Sequence, residues 1–246
     1  MSGRGVERIL DLIEWFAATP GPVSLSQVSM ALGMPKSSAL QMLRTLTERG
    51  YVLRDAAGHY TLIRLPGEIT AASGGSRGAL LALAAPLIAR AVDDVGESGF
   101  LAVLEGTEIR YLNKILPTRE IRYDRDMSMT RPAHKVASGI VILANMPAQG
   151  VEAFEATLSA EERADLRTAM ETARRDGFFM NAHGVVEGAA GVAAAIFDAQ
   201  DQVVGAVNIS GPQGRMAEAS AEVCAATLAT AHAVTFEIQR RAIRSA

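Results

Sequence analysis

Residues 24–64, SLSQVSMALGMPKSSALQMLRTLTERGYVLRDAAGHYTLIR, combine helical and strand patterns within a short stretch. In the first half, apolar residues recur at helical spacing, and either Ser24 or Ser26 can cap the first helix. Gly33 and Pro35 then mark a tight turn, because glycine suits the end of a helix and proline the first turn of the next one. The second half alternates apolar and polar residues around residues 55–58, DAAG, which predicts a β-hairpin. Two helices, a turn and a hairpin in this order form a winged helix-turn-helix.

The second predicted helix, residues 36–50, is amphipathic. At about 100° per residue, its apolar residues share one side, which predicts a packed face. That face comprises Ala39, Met42, Leu43 and Leu46. The opposite side carries Ser37, Gln41, Arg44, Thr45 and Glu48 and is free to meet a partner.

The chemistry of this polar side suits DNA. Gln41 can pair bidentately with adenine and Arg44 with guanine, whereas Lys36 offers a positive charge to phosphate. Serines near a helix start can bond phosphate oxygens. No Asp or Glu lies between Glu14 and Glu48 to repel the DNA backbone. The candidate DNA contacts are Ser26, Lys36, Ser37, Ser38, Gln41, Arg44, Thr45, Arg54 and His59.

Both the helix and the hairpin of this segment also have a purely structural interpretation, without DNA binding. Any amphipathic helix carries polar residues on its exposed face, and most of these residues contact only water. Arg54 and His59 flank the hairpin turn, where they can contact the DNA backbone or the minor groove, but a plain hairpin that closes a small core has the same residues. Upstream, an apolar set at helical spacing predicts a first helix that completes the domain and stops near residues 20–22. That set is Val6, Ile9, Leu10, Ile13 and Phe16.

Composition restricts the class of protein. With 246 residues and 49% hydrophobic content, the chain suits two packed domains. A single cysteine, Cys224, excludes an internal disulfide framework and is consistent with a cytoplasmic protein. The N-terminus does not resemble a signal peptide, and no apolar run is long enough for a transmembrane helix.

The charge is unevenly distributed along the chain. The net charge is −3, but residues 1–66 hold seven Lys/Arg against five Asp/Glu and carry +2, while the remainder carries −5. The acidity therefore belongs to the second part and does not argue against DNA binding by the first. Because +2 is only mildly basic, we expect tight binding to need a dimer that doubles the phosphate contacts.

Three segments are predicted: a winged helix-turn-helix at 1–66, a linker at 67–76 with a short helix at 68–72, and a second domain at 77–246. The second domain is predicted to begin with a long helix at 77–95 and a hairpin formed by 100–104 and 109–112. Helices at 135–145, 151–157 and 160–176 and strands at 191–197 and 203–210 follow, and one helix at 217–244 closes the chain. This order indicates an α+β fold with an antiparallel sheet flanked by helices.

The chain resembles the isocitrate lyase regulator (IclR) family of bacterial transcription factors nearly from end to end. In the N-terminal part the resemblance lies in VERILDLIEWF (6–16), in the helix-turn-helix block and in the hairpin. In the second part it lies in LAVLEGTEIRYLNK (101–114), RPAHKVASGIVILANMP (131–147) and RRDGFFMNAHGVVEGAAGVAAAIFDAQDQVVGAVNISGP (174–212). The order and spacing of these blocks make the resemblance specific.

The resemblance implies a ligand-responsive regulator, more often a repressor, that binds double-stranded operator DNA as a homodimer or a dimer of dimers. It also implies a GAF-like α/β effector-binding domain whose ligand is a small organic or aromatic acid. We expect no cofactor, and the residues themselves predict neither a metal site nor a membrane partner. The implied pocket residues are Tyr111, Arg131, Ala133, His134, Lys135, Val136, Ala137, Gly191 and Ser210. Free N–H groups at a helix start can hold a carboxylate, which agrees with this placement.

The chain departs from the family at Val136, Ile140, Gly184 and Gly191, where more polar residues are usual. These departures favour an apolar or aromatic-bodied ligand. Alternatively, the Ala/Gly-rich stretch 188–195 only packs closely against a helix.

Two other classes of function compete with a regulator. An enzyme is disfavoured, because there is no Gly-x-Ser-x-Gly motif, no phosphate-binding glycine loop and no metal-ligand spacing among the four histidines. A protein-binding module with a winged-helix appendage fits less well than a DNA-binding one, because the polar side of the second helix lacks acidic residues up to Glu48.

Overall fold

The computed structural model describes residues 4–19, 21–48, 51–55, 58–62 and 77–245. The chain divides into two compact units, whose described parts are residues 4–62, the N-terminal unit, and 77–245, the C-terminal unit. The predicted linker at 67–76, with its short helix, lies outside the described residues. The α+β class predicted from the sequence is confirmed.

Three helices and a two-stranded antiparallel hairpin form the N-terminal unit. They are α1 (Arg4–Ala18), α2 (Leu25–Ala31), α3 (Lys36–Glu48), β1 (Val52–Arg54) and β2 (Tyr60–Leu62). Val23 extends the hairpin, since its N–H and carbonyl both bond to Tyr60, at 2.9 and 2.7 Å.

Local hydrogen bonds define the α2–α3 turn. Ser24, not Ser26, caps α2, and its N–H donates to Gln27 Oε1 at 2.8 Å while its Oγ accepts from Gln27 N–H at 3.3 Å. Gly33 ends the helix with φ of +57°, a conformation that side chains with a Cβ disfavour. The Ser29 hydroxyl donates to the Met34 carbonyl at 2.6 Å. The turn predicted from glycine and proline is therefore confirmed.

The buried side of α1 differs from the prediction. Leu12 and Phe16 are buried in the core of the N-terminal unit, together with residues of α2, α3 and the hairpin. Ile9 and Leu10 are 43% and 54% exposed. Leu10 lies on the opposite side of α1 from Leu12, so burial of Leu12 turns Leu10 outward. Ile9 shares the helix face of Phe16 but is exposed nonetheless. The predicted first helix is confirmed, but Ile9 and Leu10 of its apolar set are exposed.

An antiparallel six-stranded sheet organises the C-terminal unit, in the order β5-β4-β3-β8-β7-β6. Its strands are β3 (Ser98–Glu105), β4 (Glu108–Tyr111), β5 (Arg131–Pro132), β6 (Phe178–Asn181), β7 (Ala189–Phe197) and β8 (Val203–Pro212). Its helices are α4 (Arg77–Val95), α5 (Ala137–Ala144), α6 (Ala148–Glu155), α7 (Ala160–Asp176), α8 (Gln213–Glu218) and α9 (Ser220–Ser245).

Alternation along the central strands creates two cores. In β3, Leu101 and Val103 join a core with α4 and α9, whereas Phe100 and Ala102 join a second core with α5, α6 and α7. Successive strand residues point to opposite faces, so the central strands β3, β7 and β8 each contribute to both cores. The sheet is therefore covered by helices on both faces.

Several boundaries differ from the sequence prediction. The predicted closing helix is two helices, because Ala219 leaves helical geometry at φ −99° and ψ 18° between α8 and α9. The predicted helix at 135–145 begins instead with a separate 3₁₀ turn, Ala133–Lys135. The edge strands β5 and β6 were not predicted. They are short and only half-buried, so they show no clear alternation.

Gly139 allows α5 to pack against the 3₁₀ turn, since a Cβ at this position would lie 2.0 Å from the Ala133 carbonyl oxygen. Gly139→Ala is therefore expected to destabilise the C-terminal unit by about 1–3 kcal/mol through overpacking. Urea unfolding followed by circular dichroism measures this effect. Gly78→Ala is the matched control, because a Cβ there meets no atom within 4 Å. Equal midpoints for the two variants would contradict the packing argument.

Candidate nucleic-acid interface and ligand cavity

The outer face of α3 comprises Ser37, Gln41, Arg44 and Thr45, all exposed. Its inner face is packed, with Ala39 and Leu43 completely buried. Among the described residues, none forms a hydrogen bond or ion pair with the side chains of Lys36, Gln41 or Arg44. The Thr45 hydroxyl donates to the Gln41 carbonyl at 3.1 Å and is already used within the helix. Free donors thus lie on one exposed side of α3.

The remaining candidate DNA contacts lie at the start of the helices and in the hairpin. Ser26 and Lys36 are exposed, and Ser38 is half-buried. Arg54 is exposed, with its guanidinium 5.7 Å from the centre of the Tyr60 ring. His59 is tied to the hairpin turn, because its N–H donates to Asp55 Oδ1 at 2.8 Å and its Nδ1 lies 3.6 Å from Asp55 Oδ2. His59 is therefore less free than Arg54 to reach DNA.

A cavity of about 40 Å³ lies at the start of α5, on the face of the sheet that carries the second core. Six of the nine implied pocket residues line it: Tyr111, Arg131, Val136, Ala137, Gly191 and Ser210. Its other lining residues are Tyr123, Arg125, Asn181, Gly184, Val185, Val186, Ala189, Ala190 and Asn208. The sequence blocks around 111, 131–137 and 191–210 thus converge on one cavity.

Ala133, His134 and Lys135 do not line this cavity. They form the 3₁₀ turn that precedes α5, and Ala133 is buried in the second core. His134 Nε2 and Lys135 Nζ both lie near Glu162 Oε1 of α7, at 3.4 and 3.6 Å. The tighter 3₁₀ turn directs these two side chains toward α7, while Val136 and Ala137 remain at the cavity.

Hydrogen bonds order the polar wall of the cavity. Tyr111 Oη and Ser138 Oγ lie 2.8 Å apart. The Ser210 hydroxyl donates to Asn208 Oδ1 at 2.9 Å, and Asn208 Nδ2 donates to the Val192 carbonyl at 3.0 Å. A Cβ at Gly191 would lie 2.7 Å from Ser210 Oγ, so the absence of a side chain at 191 leaves room for this arrangement.

Arg125 is a cavity residue that sequence reasoning missed. It is 9% exposed, and its guanidinium carbon lies 3.6 Å from the centre of the Tyr111 ring and 5.3 Å from that of Phe100. It belongs to the segment between β4 and β5, where neither helical spacing nor alternation predicts burial. The stacking on Tyr111 could be found only from the structure.

The segment around Arg125 is anchored to the sheet. The Ser98 hydroxyl donates to the Tyr123 carbonyl at 2.6 Å, and Lys114 Nζ donates to Asp124 Oδ1 at 2.5 Å and to the Arg125 carbonyl at 3.3 Å. Hydrogen bonds from the Ser128 hydroxyl and N–H keep the pKa of Asp126 below its ordinary value. These contacts hold the cavity wall in place from both sides of Arg125.

A wider groove of about 490 Å³ lies between α5, α6 and α7. Arg167 binds Glu155 bidentately at 2.8 and 2.6 Å, and Arg174 donates to the Ala144 carbonyl at 2.7 Å. The Arg167 hydrogen bonds lower the pKa of Glu155. The arginines that line this groove are thus already engaged by groups of the chain itself.

The described residues contain neither a membrane-spanning helix nor a metal-binding cluster. None of the helices in the described ranges is both long enough and apolar enough to span a membrane. Within the part of the chain that the structure covers, His, Cys, Asp and Glu form no group of three or more that could hold a metal ion.

Comparison with known proteins identifies both units. The model of the IclR helix-turn-helix domain matches residues 5–56, and that of the bacterial transcriptional regulator IclR C-terminal domain matches residues 76–236. The HTH-type transcriptional regulator KipR of Bacillus subtilis is 26% identical, over 87% of this chain and 88% of its own. The transcriptional repressor IclR of Escherichia coli is 25% identical, over 87% and 82% of the two chains. The glycerol operon regulatory protein of Streptomyces griseus is 28% identical, over 87% and 86%.

Solved structures support the same fold. IclR of Thermotoga maritima superposes with a TM-score of 0.60 at 19% identity, over 97% of this chain and all of its own. HmgR of Pseudomonas aeruginosa superposes with a TM-score of 0.57 at 22% identity, over 96% and 98% of the two chains. Since the family models together cover most of the sequence, the chain belongs to the IclR family of DNA-binding transcription regulators.

Proposed function

We propose that this protein is a ligand-responsive repressor whose N-terminal unit binds operator DNA through α3 and whose C-terminal unit binds a small organic or aromatic acid. The cavity at the start of α5 is the observation that supports binding of a small acid by the C-terminal unit. Among the described residues, its lining includes Arg125 and Arg131 and no Asp or Glu. Binding of the acid is proposed to change the affinity for the operator, and the protein acts by binding rather than by catalysis.

The outer face of α3 supports the DNA half. The amide of exposed Gln41 can pair with the donor and acceptor of adenine in the major groove, and the N–H donors of exposed Arg44 can pair with the two acceptors of guanine. Lys36 and the serines at the helix start are suited to phosphate, and Arg54 to the backbone beside the hairpin. Relatives named as a repressor and as an operon regulator favour control of transcription by operator binding.

A homodimer or a dimer of dimers, working in the cytoplasm, is the proposed assembly. Ile9 and Leu10 are exposed in the N-terminal unit, and Phe236 of α9 is 62% exposed in the C-terminal unit. Apolar side chains of this size on a surface are favourable contacts for a second copy. A dimer also doubles the phosphate contacts of a mildly basic N-terminal unit.

Arg44→Ala is expected to weaken binding to specific duplexes by about 1–3 kcal/mol, because a bidentate base contact is lost. Lys36→Ala is expected to weaken binding to all duplexes similarly and to lower the salt slope by about one unit. The measurement is fluorescence anisotropy at several salt concentrations. The DNA consists of duplexes that the wild-type protein selects from a random pool.

Arg175→Ala is the charge-matched control, because Arg175 is an exposed residue of the C-terminal unit that pairs with Asp176. The DNA contacts proposed for α3 are contradicted if Arg44→Ala retains the wild-type affinity and sequence preference. Affinity independent of salt would also contradict them.

Small carboxylic acids are expected to raise the melting temperature of the full-length protein and to change its affinity for the selected duplexes. At a concentration of 100 times Kd, the stabilisation is about 2.7 kcal/mol. Gly191→Val is expected to remove both responses while leaving the affinity for DNA without acid unchanged, because its side chain fills the space beside Ser210.

A thermal-shift screen of sodium salts of aliphatic and aromatic acids measures this response, followed by anisotropy titrations with the acids that stabilise the protein. Equal stabilisation of wild type and Gly191→Val would mean that the acid binds elsewhere. No stabilisation by any acid would contradict the ligand half of the proposed function.

A further inference from the structure

Arg125 carries a buried positive charge without a matching acceptor. Its Nε and Nη1 are buried and have no hydrogen-bond partner among the described residues, and Nη2 lies 3.5 Å from Tyr123 Oη. A buried charge that lacks hydrogen bonds is costly, because it loses its hydration without replacement. Most buried polar groups are paired, so this exception suggests a partner that the chain itself does not supply.

Aromatic rings cover the guanidinium without satisfying its donors. The Tyr111 ring lies 3.6 Å from the guanidinium carbon, and the Phe100 and Tyr123 rings lie 5.3 and 5.6 Å away. A ring face stabilises a cation, but the N–H donors lie in the guanidinium plane and need acceptors there. A carboxylate can occupy an edge of this plane and accept two N–H bonds.

The nearby carboxylates have other partners. Asp124 binds Lys114, and Asp126 accepts from the Ser128 hydroxyl at 2.7 Å. Glu97, 2% exposed, accepts bidentately from Arg215 at 2.6 and 2.9 Å and also binds Arg119. Arg125 therefore has no internal carboxylate partner in the described part of the chain.

The position of Arg125 is fixed before any ligand arrives. Its own carbonyl accepts from Lys114, and the carbonyl of Tyr123 accepts from Ser98 of β3. A receptor group held in place loses little conformational entropy on binding, which favours affinity for a small ligand. A clamped and unpaired guanidinium at the wall of a cavity is thus suited to hold an anion.

Building on the proposed function, we infer that Arg125 recognises the negative charge of the effector, so that the cavity selects monocarboxylates over neutral molecules of the same shape. Arg125 is the specificity-determining residue for charge, and Tyr111 is the platform that orients it. Arg131, the other arginine of the lining, is half-buried on the edge strand β5, and none of its nitrogens is both buried and unpaired.

The test compares each acid with its neutral amide on the full-length protein at neutral pH. The probes are sodium acetate, butyrate and benzoate, with acetamide, butyramide and benzamide as the amides of matched shape. Thermal shifts and calorimetric titrations give the Kd of each. The wild-type protein is expected to bind at least one acid about 10- to 100-fold more tightly than its amide, as expected for the loss of a hydrogen bond to a charged group.

The variant Arg125→Met is expected to lose this preference and to bind the acid no more tightly than the amide. Methionine is apolar and flexible enough to occupy the same space, so the stability without ligand is not expected to fall. Arg122→Met is the matched control. Arg122 belongs to the same segment, but it is exposed and does not line the cavity. It is expected to keep the wild-type preference.

Three results would overturn the inference while the ligand-binding function stands. They are equal wild-type affinity for acids and amides, an unchanged preference in Arg125→Met, and loss of the preference in Arg131→Met but not in Arg125→Met. Even if Arg125→Met fails to fold, the wild-type affinities for acids and amides show whether the cavity selects for negative charge. If neither acids nor amides bind the wild-type protein, the proposed function fails as well.

Discussion

The two-residue period of the central strands is the constraint on which the C-terminal unit depends. Because neighbouring residues of β3 point to opposite faces, the sheet must be covered on both sides, by α4 and α9 on one and by α5 to α7 on the other. The second face carries small residues, among them Ala193, Ala195 and Ala206. These residues let α5 lie close to the sheet, and the cavity opens where α5 begins.

Charge distinguishes the cavity from the rest of this core. The second core consists of apolar and aromatic residues, none of which carries a charge that could pair with a buried guanidinium. Arg125 is nevertheless stacked on Tyr111, and its segment is held through the carbonyls of Tyr123 and Arg125. Among the described residues of the unit, the buried carboxylates of Glu97 and Glu155 are paired with Arg215 and Arg167. Arg125 differs from these pairs because two of its buried nitrogens have no hydrogen-bond partner among the described residues, which favours a role in binding.

Sequence reasoning succeeded where a pattern is local. The α2–α3 turn follows from Gly33 and Pro35, and the helices α4 and α7 have their predicted bounds because periodicity and a capping serine define them. The predictions from sequence were wrong where tertiary packing determines which residues are buried or where a helix ends. The buried side of α1 depends on what Leu12 and Phe16 meet, and Ala219 interrupts a helix despite its high helix propensity. The resemblance implied six residues of the cavity lining, but it did not include Arg125, which is placed by contacts distant in sequence.

We propose that the acid in the C-terminal unit and the DNA on the N-terminal unit influence each other. Coupling between two sites is reciprocal, so a factor by which the acid changes the Kd for DNA must equal the factor by which DNA changes the Kd for the acid. The direct test is calorimetric titration of the full-length protein with a binding acid, with and without a saturating selected duplex. We expect the two affinities to differ by the factor seen in DNA titrations, about 5- to 150-fold. Identical affinity for the acid with and without DNA would contradict the account.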